Sequence, residues 1–313
     1  MCAKKRVRRF IPRECNHVYQ RTVKGWNIFY DREDYLMCYM ILSVVAKSLN
    51  VKILKICFMY DPIHILIDAD SREKMAAFVR DYLSVFVREY NSSLGRKGQL
   101  FYKSFGSAPK QGNKKMRSVI VYIGNNPVEK HLCNYAEEYR WNFLMYMVEP
   151  FHFSQEIPAR KRSRSLARCI KRVKASSEVG CYLNYKQLYN MFSSLTDVEA
   201  EYLTDYIIMS YSPFDRERLL SFYDDWKQMI ESMHCSTGSE YDIVEKWYSK
   251  SDRIYNDMVM YVKSHLNLTK VREVTVLPVL QKRKLMADLM RCTGATHFEV
   301  CKFLHMDASS SVK

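Results

Sequence analysis

The stretch FMYDPIHILI, residues 58–67, sets one histidine among β-forming aliphatics (Ile63-His64-Ile65-Leu66-Ile67), directly after an Asp61-Pro62 corner. Branched side chains in such a run suit a pleated, half-buried strand. Val51 to Tyr60 is equally strand-like, and a link as short as Asp61-Pro62 folds it against Ile63 to Ala69 as an antiparallel hairpin. The histidine has two readings: a satisfied core residue, or a metal ligand that needs a second donor.

Working outward, Asn16 to Thr22 (NHVYQRT) alternates as a further strand. Asp31 caps a helix through Asn50, with Tyr35, Cys38, Tyr39, Leu42 and Val45 at helical spacing. Ser71 opens a second helix, with Glu73 in its first turn, running to about Asn91. A Gly- and Lys-rich loop follows, holding a strand at Gln99 to Phe105. The order β-α-β-β-α-β is that of a ferredoxin-like antiparallel sheet with helices on one face. The fold class is therefore α+β, followed by an all-α C-terminal region.

Four segments are expected. Residues 1–150 form the sheet domain and 151–175 a basic linker, since ARKRSRSLARCIKRVK (159–174) carries eight basic residues and no acid. Residues 176–270 read as aromatic-rich helices interrupted by Pro213 and by CSTGS at 235–239. Residues 271–313 hold two short amphipathic helices around Thr293-Gly294-Ala295-Thr296, which suits a helix-turn-helix DNA reader or a plain helical hairpin.

Of 313 residues, 48% are hydrophobic, enough for real cores and too many for a disordered tail. Lys and Arg total 49 against 34 Asp and Glu, a formal charge of +15 that favours a polyanion such as nucleic acid. The basic N-terminus lacks the apolar segment of a signal peptide, and no run approaches the ~18 apolar residues of a membrane helix. Ten cysteines without a C-x-x-C pair indicate neither a zinc knuckle nor a disulfide framework. Reduced, buried thiols in a cytoplasmic protein, with no membrane partner, are the expectation.

A second stretch, VIVYIGNNPVEKHL (119–132), carries Tyr122 and Asn126 four residues apart. On a helix the two sit one turn apart, with Cβ atoms ~6 Å from each other; on a strand they lie ~13 Å apart. Val119-Ile120-Val121 leans toward strand, and Pro127 ends either element at Asn126. Spacing leaves both open. A tyrosine can attack a phosphodiester and hold the phosphate covalently. A hard divalent ion bound by imidazole and an amide or carboxylate oxygen would polarise that phosphate. With 23 tyrosines in the chain, packing is the ordinary role of any one of them.

Taken together and in order, NHVYQRTVKGWNIFYDREDYL, FMYDPIHILI and YIGNNPVEKHLCNYAEEYRWNF resemble the single-tyrosine HUH transposases, in particular the REP-associated, IS200-like branch, over roughly residues 14 to 145. The resemblance implies a ferredoxin-like palm that cuts and joins single-stranded hairpin DNA with Mg²⁺ or Mn²⁺, forms a 5′-phosphotyrosine, and works as a homodimer. It places the nucleophile at Tyr122, a polar metal ligand at Asn126, and the second histidine of the His-hydrophobic-His strand at His64. Pro62 stands where the first metal histidine belongs. Asp61 is the adjacent replacement, if a bulge turns its carboxylate inward; His17, on the first strand, is a more distant candidate.

Arg21, Lys110, Lys114, Lys115 and Arg117 are expected to hold phosphates near the tyrosine. Arg160, Lys161, Arg162, Arg164, Arg168, Lys171 and Arg172 are expected to run along a DNA backbone. Phe101, Tyr102, Phe105 and Trp141 are candidates for base stacking, although packing is the commoner role. A cleavage-deficient descendant that binds hairpin DNA, and an RNA-binding module built on the same sheet, are the alternatives.

Overall fold

The computed structural model describes residues 10–12, 14–235 and 251–308. Seven elements build the N-terminal domain: β1 (Cys15–Gln20), α1 (Arg32–Ser48), β2 (Lys52–Phe58), β3 (Ile63–Asp68), α2 (Arg72–Leu94), β4 (Gly106–Lys110) and α3 (Gly112–Glu129). The strands pair antiparallel in the order β2-β3-β1-β4, the ferredoxin-like arrangement. Helix starts follow the expected caps. Asp31 and Asp34 form a capping box at α1, and the Ser71 hydroxyl accepts from the Lys74 amide at 3.1 Å.

Alternation along each strand divides its side chains between two layers. Val18, Ile56, Ile63, Ile65 and Ile67 pack under α1 and α2 with Leu36, Phe78 and Phe86. Cys15, Leu54, Cys57 and Leu66 face the other way, onto Met116, Val119, Ile120 and Ile123 of α3. Burial against the sheet thus overrides the strand propensity of Val119-Ile120-Val121, and the helical alternative for 119–132 holds. Pro127 does not end the helix at Asn126. The turn closes behind it, with the Lys130 amide donating to the Asn126 carbonyl at 3.1 Å.

The strand expected at Gln99 to Phe105 lies later, at Gly106–Lys110. Phe101 makes only an isolated bridge to Thr22, and Phe101 and Phe105 turn into the core. The register explains the shift. Gly106 pairs with Tyr19, whose ring would lie 1.9 Å from any Cβ there, so only glycine admits the pairing.

Among the described residues eight α-helices follow: α4 (Arg164–Glu178), α5 (Tyr185–Phe192), α6 (Asp197–Ser210), α7 (Arg216–Leu220), α8 (Trp226–His234), α9 (Arg253–His265), α10 (Val279–Thr293) and α11 (His297–Leu304). The stretch expected as a linker is therefore half helix. Leu166, Cys169 and Val173 of α4 join the core shared with α1 and α2, so the basic residues are its outer face. Of CSTGS, all but Cys235 lies outside the described residues. All nine described cysteines are free, five of them buried, while Cys181, Cys235 and Cys292 are exposed, against the expectation of buried thiols throughout. No helix among the described residues is long and apolar enough to cross a membrane.

The terminal pair is a helical hairpin turning on Gly294 (φ 74°), with Thr296 capping α11. Val300 to Leu304 are buried, the Tyr30 hydroxyl donates to the Phe303 carbonyl at 2.6 Å, and His305 stacks on Trp26. The C-terminal half of α11 is thus packed into the fold, while Phe298 in its first turn stays exposed. A second lock lies just before α10. Arg272, fully buried, pairs with Asp34 at 3.0 Å and lies 3.6 Å above the Tyr185 ring.

Candidate functional site

Tyr122 sits midway along α3 on the side facing the sheet, 5% exposed. Below it lie two histidines. The register pairs Tyr19 with His64 and His17 with Leu66, so all four share the α3 face and His17 is the diagonal neighbour of His64. His17 Nε2 and His64 Nδ1 are 3.0 Å apart, with ring centroids at 5.2 Å. The Tyr122 ring stands edge-on to both, 5.7 Å from each. Burial, reinforced by Arg21, pushes His64 down to about 3; burial, then His64 and Lys110, hold His17 well below the usual imidazole range. Both imidazoles are neutral at physiological pH, the state a metal ligand requires.

One turn beyond Tyr122, Asn126 is fully buried, and neither its amide nitrogen nor its oxygen has a hydrogen-bond partner among the described residues. Such an amide costs about 1–3 kcal/mol. Asn125 beside it is satisfied, donating to the Met233 carbonyl at 2.7 Å, where Gly124 lets α8 approach α3 closely.

Asp61 is held elsewhere. Its Oδ1 accepts from the Thr22 amide at 2.8 Å, and it feels the Lys302 ammonium of α11. Burial raises its carboxyl to about 6. The bulge expected to turn it inward lies instead at Ile53/Lys55 of β2. There Lys55 is fully buried with no hydrogen-bond partner for Nζ among the described residues.

Among the described residues no three His, Cys, Asp or Glu side chains are grouped to hold a metal. A neutral His64 imidazole and the unsatisfied Asn126 amide nevertheless suit a divalent ion in kind, as a nitrogen and an amide-oxygen donor. His17 is the residue sequence reasoning underrated. Its signal was present in NHVYQ: with Val18 turned to the α1 core, His17 must face the layer of His64.

The expected DNA contacts divide. Lys114 and Lys115 are exposed in the first turn of α3. Arg117 donates to the Phe222 carbonyl and lies over Tyr223. Lys110 is buried, because β4 directs it into the domain, and is no part of an exposed surface. Arg21 is half-buried, close enough to act on His64 and Asp61. Arg162 is tied to the Ile157 carbonyl and the Tyr202 hydroxyl. Arg160, Lys161, Arg164, Arg168, Lys171 and Arg172 are exposed, but on the far side of the sheet from Tyr122. Of the aromatic candidates only Tyr102 is exposed; Trp141 stacks on Tyr35.

A histidine-bearing strand of the ferredoxin-like sheet thus lies beneath the tyrosine helix. Residues 17–126 match the family model described as "Transposase IS200 like". A solved structure of a REP-associated tyrosine transposase bound to a REP hairpin is similar at 13% identity and a TM-score of 0.38, over 44% of this chain and 81% of that chain. No curated protein matches the chain.

Proposed function

We propose that the chain is a single-tyrosine DNA strand transferase of the IS200-like kind, acting on single-stranded or hairpin DNA. The observation that carries this reading is the Tyr122 ring packed edge-on against His17 and His64, one turn before the unsatisfied amide of Asn126. The family match over residues 17–126 supports it. In the reaction the Tyr122 oxygen attacks the scissile phosphorus and gives up its proton to water. The bond to the 3′ oxygen breaks, that oxygen takes a proton, and the 5′ phosphate remains on the tyrosine. His64 and the Asn126 oxygen would hold a Mg²⁺ or Mn²⁺ ion, whose chemistry is to polarise the phosphate. His17 orients His64 through their shared hydrogen bond. Lys114 and Lys115, beside the α3 N-terminus, attract the flanking phosphates.

The test is a covalent-adduct assay with labelled single-stranded hairpin DNA and Mn²⁺ on a denaturing gel. Wild type should shift the label and Tyr122→Phe should not, while both bind DNA on a native gel. Stronger binding to the matching RNA oligonucleotide would point to an RNA-binding module instead.

A second reading, hairpin binding without cutting, is favoured by Pro62 and by the engagement of Asp61 with Thr22. It predicts no adduct from wild type with binding intact, and Mn²⁺ affinity gained by Pro62→His.

A further inference from the structure

Helix α4 carries a row of cations that the tyrosine site does not use. Arg160 and Lys161 precede it, and Arg164, Arg168, Lys171 and Arg172 stand on its solvent side. None of the six has an ion-pair partner among the described residues; the acid at the end of the helix, Glu178, pairs with Lys174. Arg164, Arg168 and Arg172 follow one another at about one helical turn, a stripe roughly 12 Å long.

The stripe is remote from Tyr122. Helix α4 packs on α6, α6 on α1, and α1 on the sheet face opposite α3. At 8–10 Å per helix layer, roughly 20 Å or more of protein lies between. The two surfaces therefore lie on opposite sides of the sheet.

We propose that the outer face of α4 is a second nucleic-acid contact surface, which grips the phosphate backbone of a duplex separately from the single-strand site at Tyr122. The inference rests on the nucleic-acid reading above but not on Tyr122 being a nucleophile. Three features select the ligand. The stripe is mostly arginine, whose planar fork matches phosphate oxygens. It has no aromatic residue on which an unpaired base could stack, which disfavours a single strand. Its apolar side, Leu166, Cys169 and Val173, is spent in the core, so the helix cannot lie in a lipid surface. Nor does the stripe offer the aromatic anchor of a protein interface.

The experiment uses the full chain, a fourfold variant (Arg164→Glu, Arg168→Glu, Lys171→Glu, Arg172→Glu) and the single variant Arg168→Glu. Binding is read by fluorescence anisotropy over a KCl series, with a blunt duplex and a short single strand as probes. For the fourfold variant, duplex affinity should fall by at least about 100-fold and the salt slope should flatten by about 3 to 4, one unit per lost phosphate contact. Single-strand affinity near physiological salt should stay within about threefold, because the Debye length there is about 8 Å. Arg168→Glu, a change at an exposed position, should flatten the duplex slope by about 1 and settles the matter if the fourfold variant melts.

Unchanged duplex binding would overturn the proposal. So would equal loss of both probes in Arg168→Glu, which would mean one continuous surface. Capture on phosphatidylserine vesicles, lost in the variants while duplex binding persists, would assign the face to membranes and also overturn it. If the single strand binds to no form of the protein but the duplex behaves as expected, the tyrosine-site reading fails and the α4 surface stands.

Discussion

His17 Nε2 meets His64 Nδ1 at 3.0 Å across two strands that are 47 residues apart in sequence. The contact holds the orientation of the β3 histidine ring, which under the proposed function is the metal-binding one. His17→Leu should therefore lower Mn²⁺ affinity and adduct yield by about 10- to 100-fold, the usual effect of losing an orienting partner. His17→Gln, which returns an amide to the position of Nε2, should recover most of both. Calorimetric Mn²⁺ titration and the adduct gel check this. Equal loss in the two variants would reduce His17 to a packing residue.

The unsatisfied amide of Asn126 sets function against stability. Asn126→Leu removes two buried polar atoms that lack partners, and should stabilise the fold by about 1–3 kcal/mol while abolishing the Mn²⁺-dependent adduct. Urea unfolding and the adduct gel, run on the same preparation, give both answers. A destabilised variant would mean that the amide is satisfied in solution.

Arg272 is one of the points where the C-terminal region is tied to the sheet domain. Truncating it leaves Asp34 charged and buried, so Arg272→Ala should cost about 3–5 kcal/mol in urea unfolding. Arg272→Lys should recover only part of this, because a lysine cannot lie flat over Tyr185 while reaching the carboxylate.

Lys55 makes stability depend on pH in a stated direction. Burial pulls its ammonium from an ordinary 10.5 down to about 7. The folded pKa lies below the unfolded one, so between these values the unfolded chain binds the extra proton and stability rises with pH. Lys55→Met should be more stable than wild type at pH 7. The gap should narrow by about 2 kcal/mol by pH 8.5, a span of 1.5 units. Chemical denaturation at the two pH values checks this, and a constant gap would refute it.

Local chemistry made much of the fold legible. The Asp31 and Ser71 caps and the 58–67 hairpin follow from residues within a few positions of one another. What stayed hidden was set by distant pairing. Gly106 is strand rather than loop because Tyr19 needs space across the sheet. Residues 119–126 are helix because a sheet face more than fifty residues earlier buries them. The basic run at 159–174 reads as linker until α6 supplies the partner for Leu166 and Val173. For the site, Tyr122, His64 and Asn126 carried their own signals. Asp61 misled because its partners, Thr22 and Lys302, lie far away in sequence.

The hold of α11 on Tyr30 also bears on synthesis. The Phe303 carbonyl that receives the Tyr30 hydroxyl is made 273 residues after it. At about 5–20 residues per second, the ribosome needs roughly 15 to 55 seconds to supply it. During that interval the sheet domain carries Tyr30 and Tyr60 bare, without the α9 and α11 side chains that cover them in the finished chain. The sheet domain is thus born sticky, and its apolar edge is closed only when the C-terminal helices arrive.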